Sequence, residues 1–121
     1  MERREFLRAS IGFALAALAT PGIAFAAAQA QDHLGQAIDQ INKAIPYGEE
    51  PAHSSSFVQH IDNAIDHAMM AQQAQRNPHT RKAIGYLRRA RKVTYGTHLL
   101  SYSRRGASLA KKALGQLQAA Q

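Results

Sequence analysis

An internal repeat constrains this chain more than any other feature. His33, Ala37, Ile38 and Ile41 return as His79, Ala83, Ile84 and Leu87, each 46 positions later, and Tyr47-Gly48 returns as Tyr95-Gly96 at an offset of 48. Each copy spans two apolar-striped segments with a breaker between them. The pattern therefore predicts a helical hairpin used twice.

The four stripes follow the three- and four-residue spacing of a buried helix face. Phe57, Ile61, Ala64, Ile65 and Ala68 make the clearest one, in the stretch 57–73, with Ser54, Ser55 and Ser56 offering caps before it. Ahead of it, Leu34, Ala37, Ile38, Ile41, Ala44 and Ile45 predict a helix from a cap at Asp32 to a stop at Pro46, with Gly48 supplying a left-handed helix end. Asn77-Pro78 is a cap followed by the residue favoured at the first helical position, so a third helix starts there and closes at Tyr95-Gly96. Leu99, Gly106, Ala107, Ala110, Ala113, Leu114 and Leu117 define a fourth, from about His98, whose small residues let a neighbour approach closely. Short connections make neighbours antiparallel. The expected fold is all-α, an up-down-up-down antiparallel four-helix bundle of two duplicated helical hairpins over residues 31–121.

Residues 1–30 read as an export signal instead. They combine a charged start, an apolar stretch from Ile11 to Ala28 rich in alanine, and small residues that permit cleavage after Ala26, Ala28 or Ala30. Arg3-Arg4-Glu5-Phe6-Leu7-Arg8 has the form of a twin-arginine signal. The expected location is periplasmic, reached after folding. With no cysteine in the chain, a domain of about ninety residues must be held there by packing or by a bound ion. Eighteen Leu, Ile, Val, Phe and Met side chains after residue 30 supply the packing, so folding should not require metal.

Charge separates the hairpins. Residues 31–75 hold six acids and one base, whereas residues 76–121 hold eleven bases and no acid. Two readings follow: a solvated face that also attracts the acidic hairpin, or a docking surface for an anionic lipid or an acidic protein. Export removes nucleic acid as a partner. Catalysis finds no support, because phosphate-binding glycine loops and paired catalytic carboxylates are absent. Ser108-Leu109-Ala110-Lys111 matches a nucleophile spacing only by chance in so short a chain. Haem ligation by Met and His lacks the attachment cysteines of the c-type proteins.

Metal-ligand chemistry is concentrated in the histidines and methionines. Folding the helices up and down brings His33, His67, Met70 and His79 to one end of the bundle and His53 and His98 to the other, with His60 between. Imidazole with thioether suits copper, and imidazole with carboxylate suits zinc or nickel. No pair of histidines lies four residues apart, so any site must join two helices.

His33 with Ala37-Ile38, the turn Tyr47-Gly48-Glu49-Glu50, His53-Ser54, the segment from His60 through His67-Ala68, Asn77-Pro78-His79 and Tyr95-Gly96 together resemble the small metal-binding protein family of histidine-rich periplasmic bundles. The resemblance covers nearly all of the chain after the signal. It implies a monomeric four-helix bundle that binds divalent ions, notably copper, through histidines at roughly heptad spacing. Gln40, Tyr47, Lys82, Tyr86, Tyr95 and Arg105 stand where that pattern favours histidine, so His33, His53, His60, His67, His79 and His98 alone keep the ligand type. One or two sites per chain are then expected.

Overall fold

The computed structural model describes residues 21–121, which form four helices: α1 (Pro21–Gly48), α2 (Ser54–Ala74), α3 (Pro78–Thr94) and α4 (Leu100–Ala120). The twin-arginine motif and the apolar residues as far as Thr20 lie outside the described residues. Consecutive helices pack side by side and α1 also packs on α4, closing a four-membered ring, while α2 and α4 touch across one diagonal. This is the up-down-up-down bundle expected from the repeat. No strand occurs among the described residues.

Every helix turns its small and apolar stripe inward. Leu34, Ala37, Ile41 and Ala44 of α1, Phe57, Ile61, Ala64 and Ala68 of α2, Ala83, Leu87 and Ala90 of α3, and Ala107, Ala110, Ala113 and Leu117 of α4 are all essentially buried. Alanine fills much of this core. A core so rich in alanine brings helix backbones close together, and the glycines show how close. A Cβ on Gly48 would lie 2.9 Å from the Phe57 ring and 3.0 Å from Ala107 Cβ; one on Gly106 would collide with Thr94 Oγ1 and meet the Phe57 ring at 3.0 Å and the Ala90 carbonyl at 3.2 Å. Phe57, fully buried, is thus clasped between two glycines and joins α2 to both α1 and α4.

The helix ends depart from the sequence expectations in several places. α1 is already helical at Pro21, the first described residue, so Asp32 is no cap but an interior residue whose carboxylate accepts a hydrogen bond from Gln36 Nε2 (3.1 Å). The helix also runs through Pro46 to Gly48. In the last turn a proline forfeits a single backbone hydrogen bond, and its fixed φ is already helical. Gly48 does not adopt the left-handed conformation; in that connection Ala52 does, at φ 67°. Gly48 is required by close approach instead. The serines do not cap α2: His53 holds the cap position with no side-chain hydrogen bond, and Ser54 is buried inside the first turn. Asn77 caps α3 as expected, accepting from the His79 backbone N–H (2.8 Å), and Gly96 takes φ 77° beyond its end. α4 starts at Leu100, which leaves Leu99 60 % exposed at the cap position, off the core face where its spacing had placed it.

Candidate metal-binding site

On α1, one flank of the buried stripe carries His33, Gln40 and Tyr47, and the facing flank carries His60 and His67 on α2 and His53 at its cap. Both sets are spaced by seven residues, about 10.5 Å of helix, so each stays on one side as the helix turns. In the antiparallel hairpin they meet as three rungs whose residue numbers sum to 100. His33 Nδ1 stands 3.2 Å from His67 Nδ1 with the rings stacked, centroids 5.4 Å apart. His60 Nδ1–H donates to Gln40 Oε1 (2.8 Å). Tyr47 closes the ladder, its ring 5.7 Å from that of His53 and stacked on that of His60 at the same distance.

The second hairpin repeats this design with other side chains. His79, the copy of His33, meets Gln116, its Nδ1–H donating to Oε1 (2.8 Å). The same register sets Tyr86 opposite Leu109, both half-buried against the core. Height alone had grouped His79 with His33 and His67, but the duplication assigns it to the other seam. It shares an end of the bundle with them and faces a different helix.

The remaining candidates are scattered. Met70 is 45 % exposed, one turn beyond His67. Exposed His53 has Nε2 3.7 Å from Glu50 Oε1. His98 is exposed on the connection between α3 and α4, beside a cleft bordered by Ser54, Asp62 and Tyr95. Among the described residues, no three His, Asp or Glu side chains cluster closely enough to enclose an ion.

One rung has the geometry of a half-built ligand set. Two imidazole nitrogens bound at about 2.0 Å to one tetrahedral ion lie about 3.3 Å apart, and His33 and His67 already hold their Nδ1 atoms at 3.2 Å. Without an ion, one of these atoms must donate a proton to the other. A metal ion replaces that proton and can use the lone pairs of both. Gln40 and Tyr47, by contrast, present an amide and a phenol to their histidines.

The profile of the small metal-binding protein family matches residues 8–120. The chain belongs to that family. No curated protein and no solved structure gives a significant match. Along this seam His53, His60 and His67 recur every seven residues, so each faces a residue of α1 on a rung of its own. Of the rungs traced here, His33–His67 is the one with histidine on both sides. Gln40 and Tyr47, the partners of His60 and His53, were not singled out as site residues from the sequence. The signal that finds them is arithmetic, two heptad series running toward each other through a short turn.

Proposed function

We propose that this protein is an exported metal buffer that takes one ion per chain at the His33–His67 rung. The observation that carries the reading is the 3.2 Å separation of the two Nδ1 atoms. Copper is the favoured cargo, ahead of zinc or nickel, because Met70 lies one turn from His67 on the same helix and offers a soft thioether to a pair of imidazoles. Solvent completes the coordination. An ion whose coordination is completed by water exchanges readily, which suits buffering and sequestration better than permanent structural use. The twin-arginine motif at Arg3-Arg4 supports delivery to the periplasm as a folded monomer, and the role requires no catalysis.

Titration of metal-free protein with Cu(II), and with Cu(I) under reducing conditions, tests the proposal directly. One equivalent should bind, and His67→Ala should weaken it at least about tenfold, the value of one lost strong contact. Equal affinity in the two proteins would remove the rung from consideration.

A further inference from the structure

A second feature lies on another face, between α2 and α3. A groove of about 700 Å³ runs there, with Met69 and buried Ile84 among its apolar lining and Arg76, Arg81 and Arg88 around it. Arg81 and Arg88 are seven residues apart on α3, so they stand on one stripe about 10.5 Å apart. Gly85 lies between them, and a Cβ there would meet nothing within 4 Å.

The three guanidinium groups are conspicuous for what they touch. Two cations elsewhere between helices find carboxylates, Arg91 with Asp62 (2.6 Å) and Lys111 with Glu49 (2.6 Å), and Arg89 lies over the Tyr86 ring. Arg88 instead directs Nη2 at the Met69 sulfur, 3.6 Å away, a weak acceptor for a group built to hold phosphate or carboxylate oxygens in pairs. No carboxylate lines the groove. Its shape and chemistry join three strong donors to an apolar floor, which complements a molecule with an anionic head and an aliphatic body.

We propose that this groove binds one anionic phospholipid, its phosphate held by Arg76, Arg81 and Arg88 and the first methylenes of its acyl chain laid over Met69 and Ile84. Charge complementarity chooses the head group, since an anion answers donors that otherwise have solvent or sulfur. The apolar floor chooses a lipid over a bare anion. The metal rung lies on the α1–α2 seam, so neither proposal depends on the other.

Calorimetry on the full chain with short-chain phosphatidylglycerol, below its micelle threshold, tests the idea without a membrane. Binding should be saturable at one molecule per chain, with short-chain phosphatidylcholine and inorganic phosphate both weaker. Arg81→Gln/Arg88→Gln should weaken it about tenfold or more, as loss of charge-assisted contacts requires. Gly85→Leu leaves every charge in place and fills the groove; it should weaken binding as well. Arg104→Gln/Arg105→Gln removes the same charge from exposed positions on α4 and should change little. All these positions are exposed, and helical circular dichroism would show each variant folded. Absence of binding, equal binding of phosphate or of phosphatidylcholine, full affinity in Gly85→Leu, or equal losses in the two arginine double variants would each overturn the assignment.

Discussion

Gly106→Ala is the most searching perturbation of this fold. The added methyl would collide with Thr94 Oγ1, and something must move. The Thr94 side chain is fully buried, the Ala90 carbonyl is helix backbone, and the Phe57 ring cannot retreat because Gly48 clasps its other side. Overpacking of this kind costs about 1–3 kcal/mol, against a gain of up to about 1 kcal/mol from replacing glycine inside a helix. We therefore expect a net loss of about 1–2 kcal/mol, or roughly 4–15 °C in Tm for a domain of this size. In a Thr94→Ala background the closest contact disappears, and the same substitution should cost clearly less, with the Phe57 ring and the Ala90 carbonyl still close. Thr94 Oγ1 has no hydrogen-bond partner among the described residues, so its removal leaves no polar group stranded. Urea unfolding followed by circular dichroism on the four proteins of the cycle gives the coupling directly, expected near 1 kcal/mol. Gly115→Ala serves as control: its Cβ would meet nothing within 4 Å, and it should stabilise by up to about 1 kcal/mol. Additivity of the Gly106 and Thr94 changes within about 0.5 kcal/mol would refute the packing argument.

Gln40→His places a second imidazole opposite His60 on the middle rung, and the number of copper ions bound per chain should rise from one to two in the same titration. Metal-free protein should already give a strongly helical circular dichroism spectrum, because the core of α1 to α4 is built from apolar contacts; helix that appears only on adding metal would make the ion structural. Lys at both Arg3 and Arg4 should trap the precursor in the cytoplasm, as measured by fractionation, while undiminished export of the double variant would remove the twin-arginine assignment.

Much of the fold was legible because it rests on local periodicity. The stripe from Phe57 to Ala68, the Asn77-Pro78 start and the Tyr95-Gly96 stop all act within a few residues, and each lies where the sequence places it. The errors fall where neighbours matter. Pro46 reads as a stop, yet in a final turn it costs too little to end α1 while Tyr47 and Gly48 pack against α2. The three serines read as caps, but burial of Ser54 and Phe57 sets where α2 begins.

The sequence by itself determined the helices, their number and their pairing into two like hairpins, because apolar spacing and turn residues are properties of short stretches. It also determined the ligand types. Only the tertiary structure decided which ligands meet. Residues that share a height on the bundle face different seams, and helix rotation separates them: His67 reaches His33, whereas His79 turns to Gln116. That rotation is fixed by how the alanine-rich stripes of adjacent helices settle against one another, through contacts such as Phe57 with Gly48 and Gly106 that join separate helices. No local pattern carries it.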